Sequence, residues 1–292
     1  MKTCCRQAVW SGLGLAVLWI ATSVGLLQMY HHAWKSFALT TGSFSVDTVI
    51  LSPLCCAAGA AYGARLRRTG VTTTSRAWPR SATSAIVTIW VVGVGVVLLL
   101  SAGVTVAVLA WLAAGDADPR LVMGPVLTAM AATAFLALGA VLGVVAGSYL
   151  LAAVAAIGVY CVTSTIPGAA DLLIGWSGPA AIDGAPSHLT WQAIVLWAGL
   201  DCAVIVVSLL LVTVVTTPGG GHWWRWLGAA ILVAVIAVGA TATIQLEDVW
   251  ESTGDWRCRE VGRHGSMACV SGDMSWRLEE YATAMGRVDD LL

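Results

Sequence analysis

Charged residues are scarce in this sequence, and that scarcity excludes most soluble folds. Of 292 residues only 11% are charged, whereas 58% are hydrophobic. A soluble domain carries about a quarter charged residues, so these side chains do not suffice for a surface in contact with water. The formal net charge of -1 argues against a nucleic-acid binder and against a polybasic protein of the membrane surface.

The residues that common catalytic and cofactor sites require are also missing. Lys2 and Lys35 are the only lysines and neither follows a glycine-rich loop, so the chain has no Walker A motif of its own. No His-Glu-x-x-His or Gly-x-Ser-x-Gly motif occurs. We therefore expect no enzyme, no cofactor and no metal site. The histidines fall in predicted loops or in the C-terminal tail: His31, His32, His188, His222 and His264.

What the sequence has in abundance is long apolar runs. About 20 apolar residues cross roughly 30 Å of hydrocarbon as a helix, and the alternating segments of a barrel are absent. The sequence predicts an all-α, polytopic transmembrane helix bundle over residues 1–246, with an apolar stretch divided near Gly147 and Ser148. About seven spans are predicted, at residues 8–29, 47–64, 84–114, 121–146, 148–166, 191–215 and 226–246.

Basic residues near the span ends predict the orientation. Lys35 and Arg120 are the only ones in the predicted outer loops, whereas the predicted inner segments hold eight and contain no acidic residue. We expect a multi-pass protein of the plasma membrane, in contact with lipids, with a cytoplasmic N-terminus and an extracytoplasmic tail at residues 247–292. The inner basic residues are Lys2, Arg6, Arg65, Arg67, Arg68, Arg76, Arg80 and Arg225.

The tail contains two cysteines, Cys258 and Cys269, with a ten-residue gap that can close as a hairpin. An extracytoplasmic compartment permits a disulfide between them. With His264 they also suggest a metal site, but three ligands at this spacing fit no zinc pattern. An apolar stripe follows at helical spacing, and it either covers the hairpin and the span ends or docks a partner. Its members are Met274, Leu278, Tyr281, Met285, Val288 and Leu292.

Asp201 is predicted near the centre of the sixth span. A charge there costs at least about 2.5–3.5 kcal/mol, so the carboxyl should face a cavity, a partner or remain protonated. It is either a polar site in a translocation path or proton relay, or a protonated group bonded to a neighbouring helix.

Gly139, Gly143 and Gly147 recur at four-residue spacing on the fourth span. Small residues at this spacing let helix backbones approach closely, within one chain or between chains. This pattern indicates helix packing rather than mechanism.

The segment between the second and third predicted spans carries a resemblance. It reads Arg65-Leu66-Arg67-Arg68-Thr69-Gly70 and then Arg76-Ala77-Trp78-Pro79-Arg80, after Pro53-Leu54 and an Ala/Gly-rich stretch. With Leu138-Gly139-Ala140 and the cysteine-paired tail, this layout resembles permease-like membrane subunits of actinobacteria related to the ABC-2 type of exporter.

The resemblance implies a permease-type subunit of an ABC exporter complex. Residues 66–80 would couple to a separate ABC ATPase subunit, and a second permease copy or a related permease would complete the path. Two other hypotheses remain open: an accessory or sensory membrane protein whose tail binds a partner or ligand, and a proton-coupled carrier that uses Asp201. The coupling contacts implied by position are Arg65, Arg67, Arg68, Arg76, Trp78 and Arg80.

Overall fold

A computed structural model describes most of the helical part of the chain and much of its tail. The described residues are 2–29, 48–68, 82–112, 119–150, 153–154, 157–158, 187–216, 230–231, 234, 250–252, 256–261, 266–271 and 278–289. Five long helices are α1 (Lys2–Met29), α2 (Thr48–Arg68), α3 (Ala82–Leu112), α4 (Pro119–Ala146) and α5 (Trp191–Thr216). Strand β1 (Ser187–Leu189) precedes α5, and the tail contains β2 (Trp250–Ser252), β3 (Trp256–Val261), β4 (Ser266–Ser271) and α6 (Leu278–Asp289).

Four of the long helices have the length and apolar composition needed to cross a membrane. They are α1, α3, α4 and α5, with apolar segments at Arg6–Val24, Ser84–Val108, Met123–Ala146 and Trp191–Thr216. The predicted second span corresponds to α2, which carries three arginines in its last turn. The predicted spans at 148–166 and 226–246 lie largely outside the described residues.

Several hydroxyl side chains in these apolar helices donate hydrogen bonds to the backbone of their own helix. Ser23 donates to the carbonyl of Trp19 at 2.9 Å, and Thr133 donates to that of Ala129 at 2.7 Å. Thr128 donates to the carbonyl of Gly124 in the same way. Because these donors are satisfied one turn back, they add no unpaired polar group to the buried faces.

The most extensive interhelical contact joins α2 and α4, and glycines form it on both sides. A methyl group added at Gly139 or Gly143 of α4 would lie less than 3.0 Å from the carbonyl oxygen of Cys56 or Ala60. Added at Gly59 of α2, it would meet the backbone of Leu136 equally closely. The two backbones therefore touch, and because residue numbers rise together along both helices, α2 and α4 run parallel.

A second parallel pair consists of α1 and α3. A methyl group at Gly12 would lie 2.8 Å from Cβ of Val97, and one at Gly93 would lie 2.9 Å from Cβ of Ala8. Small residues thus allow α1 and α3 to pack closely as well. Here the glycines face side chains of the neighbouring helix, whereas in the α2–α4 pair they face backbone carbonyls. Trp19 is buried further along the same face of α1.

The α1–α3 pair runs antiparallel to the α2–α4 pair. Tyr62, near the end of α2, stacks on Trp90, near the start of α3, with ring centroids 4.0 Å apart. Helix α5 runs parallel to α4, because Trp197 and Ile194 near its start pack against Leu127 near the start of α4. One end of the bundle therefore collects the starts of α1 and α3 and the ends of α2, α4 and α5.

The tail is attached at the opposite end of the bundle. Strand β1 precedes α5 directly and pairs antiparallel with β2, so that His188 lies opposite Glu251. Strands β3 and β4 form a separate antiparallel hairpin, against which α6 packs. Its small core consists of Val261, Ala268 and Ala282.

Candidate functional site

The end of the bundle that collects the ends of α2, α4 and α5 carries four arginines of the long helices. Arg6 lies near the start of α1, and Arg65, Arg67 and Arg68 lie in the last turn of α2. These side chains divide into two sets with different surroundings. Arg67 and Arg68 reach across to α4, whereas Arg6 and Arg65 line a cavity.

Arg67 and Arg68 close the end of α4. Arg67 Nη1 donates to the carbonyl of Val144 at 3.1 Å, and Arg68 Nε donates to that of Gly147 at 3.0 Å. The Arg68 guanidinium also lies over the Tyr149 ring, 4.6 Å from its centroid. The last carbonyls of a helix have no partner within the helix and carry partial negative charge, so guanidinium groups suit them.

Gly147 ends α4 instead of extending its packing ridge. Its φ of 65° lies in the left-handed region, and its N–H donates to the carbonyl of Gly143 at 2.8 Å. Glycine adopts this conformation at little cost, and the bond is the usual one for a helix that stops in this way. Of the three glycines predicted to pack helices, Gly139 and Gly143 face α2, whereas Gly147 turns the chain beside the Arg67 side chain.

The cavity lies between the start of α1, the end of α2 and the start of α3. Its volume is about 430 Å³, and its lining includes Arg6, Arg65, Tyr62 and Trp90. Trp90 is almost fully buried, and its Nε1 has no hydrogen-bond acceptor among the described residues. The cavity therefore combines two guanidinium groups with aromatic rings and a buried donor. Such a mixture of apolar walls and a few polar groups is typical of ligand sites.

The other residues assigned to the coupling segment, Arg76, Trp78 and Arg80, lie outside the described residues. Helix α2 ends at Arg68 and α3 begins at Ala82, so this segment leaves and re-enters the bundle at the arginine-bearing end. Its first anchor is the Arg67 and Arg68 contact with α4.

Asp201 lies inside the bundle. Its side chain is only 6% exposed, and it shares one buried face of α5 with Trp197, Val204 and Ser208. Trp197 Nε1 and Ser208 Oγ on that face are buried without a hydrogen-bond partner among the described residues. The carboxyl is therefore on the buried face of α5 and not on the outer face of that helix.

In the tail, a disulfide joins Cys258 and Cys269, which lie directly opposite each other in the hairpin. Arg259 of β3 forms an ion pair with Glu279 of α6. Among the described residues no group of histidine, cysteine and acidic side chains is arranged to hold a metal ion. The residue of α6 that packs into the core of the hairpin is Ala282, which does not belong to the predicted stripe, whereas the stripe residues Tyr281 and Met285 are exposed.

Nothing in the sequence groups Arg6 with Tyr62, Trp90 and Arg65. These residues come from three helices, and single-helix periodicity does not tell which helices are neighbours. A partial signal was present, since Arg6 and Arg65 were both assigned to the cytoplasmic side of the membrane. No sequence pattern predicted that Tyr62 of α2 and Trp90 of α3 stack on each other.

The chain matches no protein-family model, no curated protein and no solved structure.

Proposed function

We propose that this chain is the membrane-spanning, permease-type subunit of an ABC exporter complex. A separately encoded ATPase would energise it, and a second copy or a related permease would complete the transport path. The chain has no glycine-rich loop followed by lysine, so ATP binding and hydrolysis belong to the partner subunit. The proposed coupling element is the segment at 66–80, together with Arg65.

The observation that carries this proposal is the anchoring of the coupling segment to α4. Arg67 and Arg68 stand where the segment leaves α2, and both donate to carbonyls at the end of α4. Helix α4 is the most buried of the four candidate spans. A force applied to the segment by a partner would therefore act on α2 and α4 together. Within the segment, Arg76, Trp78 and Arg80 would contact the ATPase, while Arg67 and Arg68 would hold the segment in place.

Seven membrane crossings form part of the proposal. Helix α4 ends at the arginine-bearing end, whereas β1 lies at the other end, and this arrangement supports the predicted span at 148–166. Helix α5 also ends at the arginine-bearing end while β2 pairs with β1, which supports the predicted span at 226–246. With the five long helices this makes seven crossings, and the arginines favour the cytoplasm for their end.

Cysteine labelling in intact cells tests this topology. In a background without the other free thiols, we expect Met285→Cys to react with a membrane-impermeant maleimide and Gln7→Cys to react only after the membrane is permeabilised. Both residues are exposed in the structure, so accessibility of the side chain does not limit either reaction. Labelling of both positions from the same side would require an even number of crossings and contradict the proposal.

Purification of the chain in mild detergent from its native host tests the transporter assignment. We expect a stoichiometric nucleotide-binding subunit to accompany the wild-type chain and to be lost from the variant with Arg76, Trp78 and Arg80 changed to alanine. The matched control is Arg259→Ala, an arginine of the tail at the opposite end, which should retain the subunit. Recovery of the wild-type chain without any nucleotide-binding protein would refute the assignment.

A second function is favoured by the outer face of the tail. Met267, Tyr281 and Met285 are exposed at 57%, 43% and 42%, although the tail has little apolar surface to spare for its own core. Side chains of this kind are common at protein interfaces. An accessory or sensory protein would use them to bind an extracytoplasmic partner. Deletion of residues 253–292 separates the two functions, because a permease core should still bind its ATPase whereas a sensor should lose its partner.

A further inference from the structure

We propose that the cavity between α1, α2 and α3 is a binding site for the phosphate of an anionic lipid headgroup. The site goes beyond the transporter assignment and does not depend on it. Three features of the cavity carry the proposal: its charge, its buried unpaired donor and its position in the bundle.

The charge of the cavity is positive and has no carboxylate nearby in sequence. Arg6 and Arg65 both line it, and no aspartate or glutamate belongs to its described lining. The segments that form it contain none either, because the chain has no acidic residue in 1–46 or in 48–115. Arginine is the residue best suited to phosphate, since its planar fork donates two parallel hydrogen bonds. Two guanidinium groups on the wall of one cavity suit an anionic ligand.

The donor that lacks an acceptor is the Trp90 indole N–H. Trp90 is 2% exposed and lines the cavity, and its Nε1 bonds to no described residue. A buried N–H without a partner costs about 1–3 kcal/mol, so native structures nearly always satisfy it. Gln7 and Ser11 add further donors to the lining. Because Nε1 itself is buried, the Trp90 side chain would shift to donate to a phosphate oxygen in the cavity, and the phosphate would also accept from the guanidinium groups.

The position of the cavity selects a lipid as the source of the phosphate. It lies where α1 and α3 begin and α2 ends, which is the level of the headgroups if these helices cross the membrane. Trp10, also in the lining, is 65% exposed, and an exposed tryptophan at a helix end is typical of the interface between lipid and water. Basic pockets between helices on the cytoplasmic side are suited to anionic headgroups. The volume of about 430 Å³ accommodates a phosphate with part of its glycerol.

Native mass spectrometry of the full chain in detergent, titrated with dioctanoyl phosphatidylglycerol, tests the proposal. We expect one tightly bound lipid per chain. Arg6→Gln and Arg65→Gln should each weaken binding by about fivefold, and the double variant by about 25-fold. Trp90→Phe, which removes the N–H and keeps the ring stack, should also weaken binding. Arg67→Gln is the matched control, because it removes the same charge from the same helix end but outside the cavity, and it should bind as the wild type does.

Three results would overturn the assignment. Equal affinity for the zwitterionic dioctanoyl phosphatidylcholine would show that the site does not select negative charge. Unchanged binding in the double variant that still has the wild-type melting temperature would place the lipid elsewhere. Binding of inorganic phosphate or of a soluble phosphate ester in preference to the lipid would make the ligand a soluble one.

Discussion

Replacement of Gly143 by leucine is expected to prevent the bundle from forming. The added side chain would begin less than 3.0 Å from the Ala60 carbonyl, and neither backbone can give way without separating α2 from α4. Gly139→Ala and Gly143→Ala, which add one methyl group each, should destabilise the fold by about 2 kcal/mol apiece. We expect each to lower the melting temperature in detergent by about 5 °C and the leucine variant to yield no monodisperse protein in size-exclusion chromatography.

Glycines with open space around them provide the matched controls. A methyl group at Gly14 of α1, Gly103 of α3 or Gly199 of α5 meets no atom within 4 Å. Alanine at these positions should leave stability unchanged or raise it by up to about 1 kcal/mol, because glycine disfavours a helix interior. If Gly139→Ala and Gly143→Ala have the same melting temperature as these control variants, the backbone contact between α2 and α4 does not exist in solution.

Replacement of both Cys258 and Cys269 by serine is expected to unfold the tail while the bundle remains intact. The bridge closes a loop between residues 11 apart, and a cross-link of this length contributes about 3 kcal/mol. Among the described residues, the core that it supports consists of Val261, Ala268 and Ala282. The ion pair of Arg259 and Glu279 is exposed and adds at most about 1 kcal/mol. The disulfide is therefore expected to contribute more than any other side-chain interaction in the described part of the tail.

Limited trypsin digestion measures this effect. Arg257 and Arg259 lie in β3, so their cleavage reports on opening of the hairpin. A loss of about 3 kcal/mol should accelerate that cleavage by about 100-fold, and a reducing agent should have the same effect on the wild type. Cys202→Ser, at an exposed free cysteine of α5, is the control and should change nothing. A double serine variant as resistant as the wild type would show that the hairpin stands without its bridge.

The long helices could be predicted from the sequence because the hydropathy of a segment follows directly from its residue types. The predicted spans at 84–114, 121–146 and 191–215 correspond closely to α3, α4 and α5. Helices α1 and α2 extend beyond the first and second predicted spans, to Lys2 and Arg68, since basic residues at helix ends reduce hydropathy without ending the helix. A charged residue ends the apolar run that predicts a span, but the helix itself continues beyond that residue because its backbone hydrogen bonds continue.

Which helices pack against each other could not be predicted from the sequence. The ridge at Gly139 and Gly143 indicates close approach, but its complement at Gly59 and Gly63 became recognisable only once α2 was known to face it. For the same reason Arg67 and Arg68 were assigned to an external contact, although part of their function is to close α4. The residue types on a helix indicate what kind of group that helix can contact. Which helix it does contact is determined by tertiary packing.

The stacked rings of Tyr62 and Trp90 form one end of the boundary between the two parallel pairs. Their ring planes differ by only 9°, and one ring belongs to the α2–α4 pair while the other belongs to the α1–α3 pair. Deeper in the bundle the same boundary is interlocked, because a methyl group at Gly95 of α3 would lie 2.7 Å from Cγ2 of Thr133 of α4. The two pairs therefore meet through flat ring faces next to the cavity that Trp90 lines, and through closely fitted small residues farther along the helices.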